Sequence, residues 1–313
     1  MISSRIITMR YLFYYIFFFT LNFAQDNFDW QNDGAPIRQG LHIEWQLTGD
    51  ANSDGSMIYA WSDCRNNGVR DVIVQKLDVN GNNIWGDYGV VAVNASGRQE
   101  DPQLVTDGSG GAYIIWMDYR DETDEAGDIY AQHIDSNGNI EWGTDANLQG
   151  LPIVDRPGQQ IFPNICSDGQ GGAYVIWEDY SDESGSSFGH IYATHLSTGG
   201  IIEGGEGVLV ISNLSPRSHP SLNTGGSGDA VLVWSDDRNT DKNLYAQRIS
   251  AGSNTINMEW ANEGKLICNA SGDQTNPRVK ASDGGAFVIW IDKRNANDDI
   301  YISALMWFIL FRC

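Results

Sequence analysis

The stretch Ala112-Tyr-Ile-Ile-Trp116-Met-Asp118-Tyr-Arg120 decides the fold, because the chain repeats it. Its relatives are Met57-Ile-Tyr-Ala-Trp61-Ser-Asp63-Cys-Arg65, Ala173-Tyr-Val-Ile-Trp177-Glu-Asp179-Tyr-Ser181, Ala230-Val-Leu-Val-Trp234-Ser-Asp236-Asp-Arg238 and Ala286-Phe-Val-Ile-Trp290-Ile-Asp292-Lys-Arg294. The intervals from Trp61 through Trp116, Trp177 and Trp234 to Trp290 are 55, 61, 57 and 56 residues. Five copies of W-x-D at so even a spacing mark one supersecondary unit built five times.

Each unit reads as four strands. The first follows a proline, at Pro102, Pro163, Pro220 and Pro277. A glycine-rich turn such as Asp107-Gly-Ser-Gly-Gly111 leads into the W-x-D strand. The third strand is Asp128-Ile-Tyr-Ala-Gln-His-Ile134 and its relatives at 71–77, 190–196, 243–249 and 299–301. An Asn-Gly or Gly-Gly turn follows, as tight hairpins prefer. The fourth strand opens at Trp85, Trp142 or Trp260, with Glu203 in that place in the third unit. The runs are rich in β-branched and aromatic residues with little polar alternation, which suits strands covered on both faces. Four strands in a unit of this length predict an all-β, five-bladed β-propeller of four-stranded antiparallel blades.

The sequence also predicts how the ring closes. The last unit ends after its third strand, and Trp30-Gln-Asn-Asp-Gly34-Ala-Pro-Ile37 matches Trp260-Ala-Asn-Glu-Gly264-Lys-Leu-Ile267. Residues near 29–38, at the N-terminus, should therefore supply the missing fourth strand, which removes two sheet edges at once. The apolar tail from Ala304 to Phe311 departs from the repeat and reads either as a buried end strand or as a truncated or frame-shifted terminus.

Bulk properties narrow the setting. The 313 residues carry 19 Lys+Arg against 41 Asp+Glu, a net charge of -22, and this argues against a nucleic-acid partner. Residues 1–24 read as a signal peptide, with Arg5 and Arg10 ahead of an apolar run from Tyr11 to Leu21 that is too short to span a bilayer. The expectation is a secreted or cell-surface protein with no stable membrane span after cleavage, residues 25–313 forming one propeller domain. Cys64, Cys166, Cys268 and Cys313 have neither disulfide-framework nor zinc spacing.

The unit resembles the W-x-D-x-R repeats of secreted bacterial β-propeller proteins over nearly all of the mature chain. That resemblance implies a fold and an extracellular setting, and no activity.

Function is placed on the face carrying the long, varied loops, since the opposite face has only short glycine turns. Asp63, Asp118, Asp179, Asp236 and Asp292 end their strands toward that face, either as a ring of ligand contacts or as clasps for each turn and its arginine. Ser181 replaces that arginine in the third unit, which singles out Asp179, and Glu178 breaks the repeat beside it. The tryptophans read as packing between blades. The acidic loop with Asp121, Glu122, Asp124 and Glu125 is a weak calcium candidate; no other cofactor is expected. His133 and His195 share a position with Lys76 and Arg248, which reads as a solvated rim. The favoured expectation is an extracellular binding or adhesion module for a glycan or a protein. The alternatives are a glycoside hydrolase of the five-bladed propeller type and a structural piece of a longer surface protein.

Overall fold

The computed structural model describes residues 37, 44–66, 68–120, 127–143, 150–181, 189–200, 202–214, 219–225, 228–261, 263–282 and 284–306. They form twenty strands in five sheets. Sheet 1 holds β1 (Glu44–Ala51), β2 (Met57–Asn66), β3 (Val69–Leu77) and β4 (Val90–Val93). Sheet 2 holds β5 (Gln99–Thr106), β6 (Ala112–Asp118), β7 (Asp128–Ile134) and β8 (Leu151–Val154). Sheet 3 holds β9 (Gln160–Ser167), β10 (Ala173–Asp179), β11 (Gly189–Leu196) and β12 (Ile202–Leu214). Sheet 4 holds β13 (Ser221–Thr224), β14 (Asp229–Asn239), β15 (Asp241–Gly252), β16 (Thr255–Met258) and β17 (Lys265–Cys268). Sheet 5 holds β18 (Gln274–Ser282), β19 (Gly285–Asp292) and β20 (Asp299–Met306). Every pairing is antiparallel between chain neighbours, except that β17 returns to pair β15 beside β16.

Alternate residues of each W-x-D strand face opposite neighbours. Trp116 and Ile114 pack with Ile58 and Ala60 of sheet 1. Ile115 points the other way, to Val175 and Trp177 of sheet 3. The same division joins sheet 3 to sheet 4 through Tyr174, Ile176 and Trp234, and sheet 4 to sheet 5 through Val231, Val233 and Trp290. Apolar residues on both faces are thus what stacks the sheets in series. Burying about 200 Å² of each indole, at about 25 cal/mol per Å², gives about 5 kcal/mol per ring. Each of the last four tryptophans stacks on the tyrosine across the hairpin, as Trp177 does on Tyr192 at 6.0 Å between centroids. The indoles of Trp116, Trp177 and Trp234 press on Gly150, Gly207 and Gly264; a Cβ at Gly207 would lie 2.4 Å from Trp177 Cη2.

Sheet 5 breaks the series. Phe287, Ile289, Ile300 and Ile302 occupy the positions that face the next sheet elsewhere, and here they are 55%, 44%, 73% and 64% exposed. Among the described residues sheet 5 has three strands. The predicted closing strand at 29–38 and the tail beyond Met306 lie outside the described residues, apart from Ile37.

The strands differ from the sequence reading in two ways. The fourth strands begin after Trp85, Trp142 and Trp260, not at them, because the backbone N–H of each tryptophan is taken by a third-strand glutamine: Gln75, Gln132 and Gln247. Three first strands begin before the proline, at Gln99, Gln160 and Gln274, with a break in register at the residue preceding it. The first strand is an edge of its sheet, where a proline's missing N–H costs no ladder bond.

Candidate functional site

The five W-x-D aspartates are buried. Each takes a bond from the indole two residues earlier, at 3.2, 2.8, 3.1, 3.3 and 2.8 Å in chain order. Each also accepts the backbone N–H two residues later, at 2.8 to 3.0 Å. Arg65, Arg120, Arg238 and Arg294 close the clasp on their own aspartates. In sheet 3 the arginine comes from elsewhere. Arg156, in the connection from sheet 2, donates its Nε to Asp179 at 3.2 Å and lies over Tyr192 as Arg120 lies over Tyr130. Asp179 is therefore as engaged as the other four, although Ser181 had singled it out. Burial pushes the carboxyls of Asp63 and Asp179 up, but the hydrogen bonds they accept outweigh it and hold both below the ordinary range. The bond from Arg294 leads in bringing Asp292 down to about 2. Glu178 is buried as well, and accepts from Tyr180 Oη at 2.8 Å and from the His219 backbone at 2.7 Å.

The histidines are not on a solvated rim. His133 Nε2 meets Asp107 at 2.9 Å, and His195 bridges Asp168 at 2.9 Å and Glu203 at 3.0 Å. Arg248 takes the same place on Asp229. This is a second repeated clasp, at the glycine-turn end of the sheets. Asp121, Glu122, Asp124 and Glu125 lie outside the described residues.

What does not repeat is the left-handed residue within each first strand or, in sheet 4, two residues ahead of it. Gln46, Asp101, Phe162, His219 and Asn276 stand there with φ of 55°, 52°, 54°, 46° and 52°. Left-handed backbone is uncommon outside glycine, and such strain concentrates where structure serves function. The last four precede the buried Pro102, Pro163, Pro220 and Pro277. The first strands adjoin one another in series, so these five residues line one side of the sheet stack, near the W-x-D ends of the strands.

Sheets 1 and 2 carry the acidic part of this line. Gln46 accepts the backbone N–H of Asp101 at 2.8 Å. Burial raises the Asp101 carboxyl above the ordinary range, and neighbouring Glu100 adds to that against a weak bond from Gln103. Trp45, the residue before Gln46, is 48% exposed. Arg70 lies over its ring at 4.8 Å, and Arg98 lies over Tyr119 at 3.8 Å. Both guanidiniums reach Glu100. An open cavity of about 500 Å³ is lined by Gly68, Val69, Arg70, Gly97, Arg98 and Glu100. A second cavity, of about 590 Å³, lies between the outer strands of sheets 3 and 4; its Arg238 is already held by Asp236 and Glu263. Phe162 and His219 meet at 4.7 Å further along the line. Among the described residues no group of three or more His, Cys, Asp or Glu is arranged to hold a metal.

No protein-family model and no curated protein matches the chain. Solved structures do. An α-L-arabinanase from Penicillium chrysogenum, complexed with arabinobiose, has a TM-score of 0.50 at 13% identity over 86% of this chain and 80% of that one. The polysaccharide lyase Uly1 has 0.51 at 12% identity over 85% of this chain, which spans 57% of that protein. The likeness is one of fold. It makes the stack of antiparallel sheets a β-propeller-like, all-β architecture.

Proposed function

We propose that the chain is a glycoside hydrolase of the five-bladed propeller type, acting on a glycan held where the first strands of sheets 1 and 2 meet. The observation that carries this is Asp101. It stands half-buried on left-handed backbone in the line of first strands, its carboxyl is raised by burial, and a half-exposed indole lies close by on the neighbouring strand. A carboxylic acid whose proton affinity is raised above the ordinary range suits protonation of a glycosidic oxygen. Trp45 offers a flat apolar surface for a sugar ring. Hydrolysis needs a second carboxylate, and Glu44, two residues before Gln46 on β1, is the candidate. The fold likeness to two glycan-acting proteins supports the reading.

The architecture proposed with it is a closed ring. The exposed face of sheet 5 would meet the Trp61 face of sheet 1 as each other sheet meets its successor, and the strand at 29–38 would complete sheet 5. Secretion through residues 1–24 goes with this reading, and a mature N-terminus at Gln25 would support it.

Release of reducing ends from a panel of glycans by the wild-type chain and by Asp101→Asn tests the proposal. The wild type should hydrolyse at least one glycan, and Asp101→Asn should bind it and lose at least a hundredfold in rate. An unchanged rate in Asp101→Asn would remove that residue from the chemistry. A glycan-binding module is the second reading. It is favoured by Phe162, His219 and Asn276, because the equivalent kinks of sheets 3 to 5 present no further acid. Binding without hydrolysis on every substrate would select it.

A further inference from the structure

We infer that the cavity between sheets 1 and 2 takes an anionic group on the sugar, a carboxylate or a sulfate, held by Arg70 and Arg98; this rests on the glycan reading. The chain carries -22 net charge, and its clasp arginines each have a carboxylate of their own. Arg70 and Arg98 depart from that rule. They converge on a single carboxylate oxygen, Oε1 of Glu100, Arg70 from β3 of sheet 1 and Arg98 from the connection that leads into β5 of sheet 2. Their side chains are 30% and 46% exposed, against 14% for Glu100, so the shared acid lies beneath and the guanidiniums face the opening. Each guanidinium has five N–H donors in a planar fork suited to two oxygens of a planar or tetrahedral anion.

The walls fit a sugar anion better than a bare ion. The guanidiniums of Arg70 and Arg98 lie over the rings of Trp45 and Tyr119, at 4.8 and 3.8 Å from the centroids. Gly68 has nothing within 4 Å of where a Cβ would stand, and Gly97 is pressed against the Tyr119 carbonyl, so the floor is open on one side and closely backed on the other. The acids proposed for the site are Glu44, Asp101 and Glu100, and Glu100 is the one the two guanidiniums already share. A neutral glycan would leave the exposed guanidinium donors to water. A uronate or a sulfate ester would use them in charge-assisted bonds.

The test measures binding of polygalacturonate, dextran sulfate and linear arabinan by calorimetry, for the wild type and for the Arg70→Gln/Arg98→Gln double variant. One of the anionic polymers should bind at least tenfold more tightly than arabinan, and the double variant should bind the two polymers equally. Loss confined to polygalacturonate assigns a carboxylate, and loss confined to dextran sulfate assigns a sulfate. Should the double variant unfold because Glu100 is stranded, adding Glu100→Gln removes the unpaired charge and the same comparison applies. Arabinan bound as tightly as either anionic polymer, or anionic binding untouched by the substitutions, would overturn the inference and leave the glycan reading standing. Binding of none of the three would sink both.

Discussion

Asp101 is a residue held against its own preference, and that has a stability signature. Its folded pKa is raised, so the wild type is stable to the full extent below the ordinary carboxylate pKa and loses stability as pH rises through the folded value. Asp101→Asn should therefore raise the melting temperature at pH 7 and leave it unchanged near pH 3, a difference that calorimetry at the two pH values checks. Hydrolysis should fall over the same rise in pH, because the proton donor is lost. Asp179 works in the opposite sense. Its folded pKa is depressed, so the stability it brings is present above the unfolded value of about 3.9 and lost as pH falls through the folded one. Arg156→Ala would leave a buried carboxylate without its cation, at a cost of about 3–5 kcal/mol at pH 7 in denaturant melts, narrowing in acid. Nothing near Ser181 in sequence announces Arg156, since the arginine arrives from a connection 25 residues upstream. Local spacing reveals a clasp only when both halves lie in one strand.

At the scale of the element, the repeat carried the fold because its spacing is a backbone property. Tryptophan, aspartate and glycine recur where each hairpin needs them, and the last four W-x-D strands hold their aromatic pairs as the pattern requires. Gly207→Ala tests that logic: with φ of 104° and the Trp177 ring 2.4 Å from a Cβ, the substitution should cost about 2–3 kcal/mol, read from the shift in denaturation midpoint. The kinks were not legible. Attention to what repeats passes over the one position in each first strand that varies, and a residue before proline gives no sign by itself that its φ is positive. The variable pre-proline residues were nonetheless the available signal, because a site must differ between units that are otherwise alike. The cavity between Arg70 and Arg98 was hidden for a further reason: the two arginines lie 28 residues apart and meet only when sheet 1 stacks on sheet 2.

For the whole molecule, the exposed face of sheet 5 is where the ring is won or lost. Ile289→Asp separates the alternatives. On a face that stays open, a surface substitution changes stability by about 0.5 kcal/mol or less. On a face closed against sheet 1, it buries an unpaired charge and should cost more than about 2 kcal/mol, with aggregation following from the exposed edge. Urea denaturation of the single variant reads the difference. A ring also gives the line of first strands its meaning, since Gln46, Asp101, Phe162, His219 and Asn276 would then surround one opening instead of bordering a curved wall.

The most direct measurement is a crystal structure of Asp101→Asn with an oligosaccharide bound. The account predicts a sugar ring against Trp45, its glycosidic oxygen within hydrogen-bond reach of residue 101, and an anionic substituent between Arg70 and Arg98. Density for the sugar in the cavity between sheets 3 and 4, or on the outer face of sheet 5, with the opening beside Trp45 empty, would contradict it.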